Sequence, residues 1–180
     1  MPDDCNEYQA LVDRKFKPYS IGHRRMYDAP IELMRGKKRR ILDVGFGIGY
    51  GLEKMIEADI IDWYLGFEPC QDAFSYVASK AYPRPVRFYG NAYCGQAAEI
   101  PFDRAFCIEV IEHCSDDEAN KMLQDLRQDV SGILFLSTPP AEENSHGKFT
   151  RAQMYSMLKE AGFRDVAVLP DQWTTLYIAQ

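Results

Sequence analysis

The chain has 180 residues, 46% hydrophobic and 13% aromatic, which fits one folded domain with a substantial core and excludes a disordered chain. No apolar run is long enough to cross a bilayer, so a membrane-spanning role is excluded at this level. The net charge of −6 is uneven: residues 14–40 hold ten Lys/Arg against two acids, leaving −14 for the rest of the chain.

That split suits a cationic N-terminal arm lying on an anionic body, or an anionic ligand such as a phosphate, a nucleotide sugar or RNA. An acidic body speaks against long nucleic acid, whose binding rests on phosphate contacts. The acidic start, Met1-Pro2-Asp3-Asp4, lacks the apolar segment of a secretion signal. Cys5, Cys70, Cys94, Cys107 and Cys114 are scattered and never spaced Cys-x-x-Cys. This argues against a disulfide framework or a zinc cluster, and for a reducing, cytoplasmic compartment.

In chain order, residues 5–18 read as a short polar helix ending near Pro18. A second helix is expected within 19–36, carrying Tyr19, His23, Arg24, Arg25 and Tyr27, with Ile31, Leu33 and Met34 as an apolar patch and Gly36 as its stop. Ile41, Leu42 and Val44 then form a buried strand. It runs into Gly45-Phe46-Gly47-Ile48-Gly49, after which Leu52, Met55 and Ile56 recur at helical spacing. The unit is strand, glycine turn, helix: a nucleotide-sized cradle at the end of a parallel strand. No Gly-Lys-Ser/Thr closes the turn, so it is not a phosphate-binding P-loop. Tyr50 stands where a dinucleotide fingerprint needs glycine.

What stands here is D-x-G-x-G-x-G, beginning at Asp43. It resembles motif I of class I S-adenosylmethionine (SAM)-dependent methyltransferases. A carboxylate beside the turn repels a pyrophosphate and suits the cationic sulfonium and ammonium of SAM. The second strand, Trp63 to Glu68, ends in an acid before Pro69, where one carboxylate can hold both hydroxyls of a ribose. Ala73, Phe74, Val77, Ala78 and Ala81 form the next helical stripe, ended by Pro83 and Pro85, and Val86, Phe88 and Tyr89 the third strand. Asn91, followed by Ala92, stands where many such methyltransferases carry an acid for the adenine amino group. Its amide oxygen could still accept, or it is a turn asparagine.

Residues 102–108 read as a buried strand running into Glu109-Val110-Ile111-Glu112-His113. This E-V-I-E-H closely resembles the motif of small-molecule O- and N-methyltransferases. A helix follows over 116–129 with Ala119, Met122, Leu123 and Leu126 inward, then a strand over 132–140 ending Ser-Thr-Pro-Pro. The loop 141–149 carries Glu142, Glu143, His146 and Gly147. Thr150 and Gln153 form a capping box for a helix with Met154, Met157 and Leu158 inward, stopped at Gly162. Val166, Val168 and Leu169 make a sixth strand, and a tight turn forces the seventh, Trp173 to Ile178, antiparallel. There is no internal repeat or linker.

The resemblance covers roughly residues 38–180. It implies an α/β fold with a Rossmann-like seven-stranded methyltransferase sheet, last strand antiparallel and helices on both faces, behind an N-terminal helical lid or arm over residues 1–37. It implies SAM as cofactor and S-adenosylhomocysteine as product. Asp43, Gly45, Phe46, Gly47 and Gly49 would seat the methionine part, Glu68 and Pro69 the ribose, and Asn91 and Ala92 the adenine, with Glu109 also in the cofactor site. His113 is the candidate base, and Tyr19, His23, Arg24 and His146 the candidate acceptor contacts.

The first expectation is methyl transfer to an O or N of a small, anionic or sugar-containing acceptor, with no metal and no membrane, by a monomer or homodimer. Two alternatives stand beside it. One is a metal-dependent RNA 3′-terminal 2′-O-methyltransferase, whose E-x-x-E-H and later histidine would here be Glu109, Glu112, His113 and His146, although a second histidine and a glutamate expected after Phe149 are missing. The other is a non-catalytic SAM-binding partner subunit.

Overall fold

The computed structural model describes residues 21–82, 85–95, 99–142, 147–171 and 174–180, with side chains in the first helix from Arg25 onward. The helix expected over residues 5–18 lies outside them. The chain divides into two compact units, Met1–Tyr93 and Cys94–Gln180.

In the first unit, helix α1 (Ile21–Met34) precedes strand β1 (Arg39–Val44). Helix α2 (Tyr50–Glu57), strand β2 (Ile61–Phe67), helix α3 (Gln71–Ala78) and strand β3 (Val86–Tyr89) come next. β1 pairs with β2, and β2 with β3, all parallel. β1 and β2 are buried over their last four residues, as strands of a parallel sheet should be, with the acid Asp43 inside the buried run of β1, whereas β3 alternates between half-buried and exposed.

In the second unit, strand β4 (Phe102–Ile108) leads through a short 3₁₀ turn at Ile111–His113 to helix α4 (Asp116–Asp129). Strand β5 (Val130–Thr138), helix α5 (Arg151–Glu160), strand β6 (Val166–Pro170) and strand β7 (Thr175–Ala179) complete it. β4 and β5 are parallel, while β7 runs antiparallel to both β5 and β6. The strands form one seven-stranded sheet in the order β3-β2-β1-β4-β5-β7-β6. The expected fold class is the observed one, including the reversed last strand.

Both long helices of the second unit begin in reciprocal caps. The Thr150 hydroxyl accepts from Gln153 N at 3.2 Å and the Gln153 side chain accepts from Thr150 N at 2.8 Å, the box read from sequence. Ser115 and Glu118 make the same box ahead of α4, at 3.3 and 2.7 Å. The Ser115 backbone N–H, and after it the Ser115 side chain, holds the Glu118 carboxyl below its usual range.

Several details differ from expectation. Leu33 is 75% exposed, while Ile31 and Met34 are buried. Tyr27 takes the inward place instead, because it has a polar partner inside the unit. α3 stops at Ala78, so Ala81 is not part of it; Ala78 is exposed, and Ala73 and Val77 carry the packing. β5 begins at Val130, directly from α4, and β7 begins at Thr175; Trp173 lies outside the described residues. Among the described residues no helix is long and apolar enough to cross a membrane.

Candidate functional site

The first unit builds the glycine cradle. φ is +73° at Gly45, +54° at Gly47 and +86° at Gly49, values that L side chains rarely adopt, so the glycines are required by the turn itself. Gly45 N donates to Phe67 O at 2.8 Å, and Gly49 N to Phe46 O at 3.0 Å. Phe46 sends its ring inward, 2% exposed and edge-on to Phe88 at 5.4 Å, so only its backbone belongs to the turn.

Glu68 is 3% exposed and braces the cradle from the other side. Its Oε2 accepts from Gly47 N at 2.8 Å and its Oε1 from Cys70 N at 2.9 Å. One carboxylate therefore joins the turn after β1 to the segment after β2. Burial raises its pKa, and the two N–H groups oppose that rise.

Asp43 is fully buried. Tyr27 of α1 donates to its Oδ1 at 3.2 Å and Tyr64 of β2 to its Oδ2 at 2.8 Å. Desolvation pushes its pKa up to about 7 despite both phenols. The sequence places this acid beside the turn, and the structure places it beneath two tyrosines. The fit is close: a Cβ on Gly51 would lie 2.2 Å from Tyr27 Cε1, so α1 can seat its tyrosine only where α2 lacks a side chain.

Past Glu68, Phe67 stacks on Tyr89, centroids 5.3 Å apart, and meets Tyr93 edge-on at 5.4 Å. This aromatic group is not among the expected site residues; its signal is the aromatic spacing at 67, 89 and 93. Pro69 and Ala92 are exposed. Asn91, also exposed, donates from Nδ2 to Ala92 O at 3.1 Å, the behaviour of a turn asparagine. A surface cavity of about 370 Å³ against α1 and α2 is lined by Asp28, Ile31, Glu32, Arg35, Lys54, Glu57 and Ala58, none of them an expected site residue.

The second unit carries a separate polar cluster. Glu109 follows β4 with φ +55°, an uncommon conformation for a glutamate. Its N donates to Ser137 O at 3.0 Å. Its Oε1 accepts from Ser137 Oγ at 2.8 Å and from Thr174 Oγ1 at 2.5 Å. Ser137, Thr138, Thr174 and Thr175 are all buried, an unusual run of hydroxyls in an otherwise apolar interior. Glu112 has its carboxyl pushed well above the usual range, by desolvation first and by the Glu109 charge second, with the Thr138 hydroxyl easing the rise. Glu112 Oε2 and Thr138 Oγ1 are both enclosed without a well-formed hydrogen bond.

His113 is exposed, and its backbone N–H donates to Val110 O at 3.1 Å. Lys148 Nζ donates to Cys114 O at 2.5 Å and pairs with Asp116 at 2.8 Å, tying the loop before α5 to the start of α4. Arg151 donates from Nε to Thr175 Oγ1 at 3.0 Å and faces Glu142 at 3.7 Å. Burial pushes the Tyr177 phenol up to about 12. Among the described residues no three His, Cys, Asp or Glu side chains converge as a metal site. Tyr19 and His146 lie outside those residues, and His23 and Arg24 belong to α1 without described side chains.

The sequence matches no family model and no curated protein. The fold, by contrast, matches many solved structures. The 1,6-didemethyltoxoflavin N1-methyltransferase of Burkholderia thailandensis, with its substrate and S-adenosylhomocysteine bound, is 17% identical, with a TM-score of 0.75 over 98% of this chain and 84% of that one. Magnesium protoporphyrin IX methyltransferase from Synechocystis PCC 6803, with SAM bound, is 17% identical, with a TM-score of 0.67 over 89% and 80%. The methyltransferase domain of bacterial CtHen1-C is 15% identical, with a TM-score of 0.73 over 89% and 98%. At such identities the likeness establishes the fold, which is the one these methyltransferases share.

Proposed function

We propose that this chain, with the fold of the SAM-dependent methyltransferases, is itself such an enzyme and methylates an O or N of a small acceptor. The observation that carries this reading is the glycine turn braced by Glu68. Three residues without Cβ at positive φ let a ligand approach the turn closely, and a buried carboxylate fixes the turn from the side where a ribose is expected. That cradle fits a cationic nucleoside better than a pyrophosphate.

When bound, the cofactor supplies a methyl group already activated on a sulfonium; displacement leaves a thioether, and the acceptor O or N gives up a proton. The protein's own work is alignment and exclusion of water. Gly45, Gly47 and Gly49 take the methionine part, Glu68 and Pro69 the ribose, and Asn91 and Ala92 the adenine edge. Asp43 serves from beneath, holding Tyr27 and Tyr64 against the cradle. His113, exposed after the 3₁₀ turn, is the candidate to take the acceptor's proton. Residues 1–37 serve as the arm that covers the acceptor.

Calorimetry tests this directly. Saturable heat with SAM and S-adenosylhomocysteine, and none with NADH or ATP, is the expected result; the reverse pattern overturns the reading. Binding without turnover until another chain is added would identify a non-catalytic partner subunit.

The second reading, methylation of an RNA 3′-terminal ribose with a divalent ion on Glu109, Glu112, His113 and His146, is favoured by the adjacency of the two glutamates. Activity indifferent to a chelator removes it.

A further inference from the structure

The glycine turn of the first unit has two buried acids beside it and no base to balance them. Asp43 is fully buried and Glu68 nearly so. Among the described residues neither belongs to an ion pair. A buried acid is ordinarily paired with a cation or gives up its charge. The two acids differ in how they are held. Glu68 accepts from two backbone N–H groups, which support its charged form. Asp43 lies deeper, accepts from the Tyr27 and Tyr64 phenols, and faces the Glu68 charge. A proton held by this pair therefore resides on Asp43.

The groups around them bring no compensating charge. The Tyr82 phenol bears on Tyr64, and its hydroxyl is enclosed without a hydrogen bond. Beyond Tyr82 stand Glu53 and Lys80, paired with each other at 2.5 Å, and Tyr76, whose ring lies 4.1 Å from the Lys80 ammonium. A positive charge is what the turn lacks, and the methyl donor differs from its product by one. SAM carries a sulfonium where S-adenosylhomocysteine carries a thioether, and the rest of the two molecules is the same. A carboxyl free to ionise meets the two ligands differently, because a nearby cation favours its charged form.

We infer that Asp43 is the residue by which this chain tells the charged methyl donor from its uncharged product: its carboxyl gives up a proton as a sulfonium enters the glycine turn and keeps it when a thioether does. The inference rests on the reading of the turn as a SAM site and adds to it a means of discriminating against product. The bond that breaks is the Asp43 O–H, and its proton passes to the solvent. Asp43 acts through its charge, since both its oxygens are taken by phenols.

Calorimetry on the full chain with SAM and with S-adenosylhomocysteine tests this. Between about pH 6 and about pH 8 the preference for SAM over the product should rise by about fivefold, the effect of one charge felt across several Å of protein. Titrations in buffers of different ionisation heat should show SAM binding at about pH 6 releasing more protons than product binding does. Asp43→Asn keeps the shape and should abolish both effects. The ligands' own amino groups titrate in wild type and variant alike, so the variant subtracts them. Tyr64→Phe removes a hydrogen bond that favours the charged carboxyl and should move the rise to higher pH. In the free chain, ¹³C NMR should find one Asp carboxyl titrating at about 7 that Asp43→Asn removes.

A preference that stays constant with pH overturns the inference, as does a rise that survives in Asp43→Asn. An Asp43 carboxyl that titrates with the ordinary aspartates overturns it without any ligand. A chain that binds both compounds at a fixed ratio loses only the discrimination. A chain that binds neither at any pH loses the cofactor reading, and this inference with it.

Discussion

The two units treat their buried carboxylates in opposite ways. In the first, Glu68 spends both oxygens on backbone N–H groups and Asp43 spends both on phenols. In the second, Glu109 is satisfied on Oε1 by two hydroxyls, while Glu112 keeps an enclosed oxygen without a well-formed hydrogen bond. The Glu68 carboxylate fixes backbone and builds a cradle; the Glu112 carboxyl, penalised by burial and by Glu109, does neither. Burial alone does not separate the acids of the two units, and hydrogen-bond accounting does.

Breaking the satisfied side should cost most. Glu68→Ala strands Gly47 N and Cys70 N and should lower stability by roughly 2–6 kcal/mol, since each buried orphan costs about 1–3 kcal/mol. Chemical denaturation would read this loss, and S-adenosylhomocysteine binding should fall with it. A Glu68→Ala protein with native stability and affinity would remove the bracing role.

Next comes a pH dependence. Asp43 has its folded pKa raised to about 7 from an ordinary 3.8, so between those values the native state holds a proton that the unfolded state has released. Its contribution is therefore fully present below about pH 4 and is lost as pH rises through 7, by up to about 1.4 kcal/mol per pH unit inside that window. Asp43→Asn should flatten that fall in denaturation curves taken between pH 5 and 8.

Gly51→Ala should cost about 1–3 kcal/mol, because the new methyl meets the Tyr27 ring and α1 must shift. A melting temperature unchanged from wild type would mean that α1 is not seated there.

The opposite sign is expected in the second unit. Glu112→Gln removes a carboxylate whose charged form is penalised by burial and by Glu109, and should raise stability by about 1 kcal/mol at neutral pH while impairing turnover. If Glu112→Gln destabilises like Glu68→Ala, the contrast between the two units fails. The smallest effects belong to the caps: Ser115→Ala and Thr150→Ala should each cost about 1 kcal/mol and leave cofactor binding unchanged.

Strand and helix order, the reversed last strand, the glycine turn and the Thr150 box are all legible in the chain alone, because period and turn chemistry are local properties. Partnership at a distance is not. Tyr27 reads as one polar aromatic among several until Asp43 is seen accepting from it, 16 positions away. Thr174 gives no sign that it reaches Glu109, 65 positions away. Leu33 fits the helical stripe, yet the inward place goes to a tyrosine with a hydrogen bond to make. The Ser115–Glu118 box is as legible as the Thr150 one, since serine with glutamate three residues later is its full signature.

The reciprocal caps on α4 and α5 bear on how this protein can change over time. Each helix start closes part of its first hydrogen bonding on itself, although Arg151 N also donates to the Glu142 carboxylate ahead of α5. Changes ahead of α4 or α5 therefore leave the cap itself in place, although Glu109, Ile111 and Lys148 are held by contacts of their own. A lineage carrying this chain can vary exposed positions ahead of those helices while its scaffold stays intact.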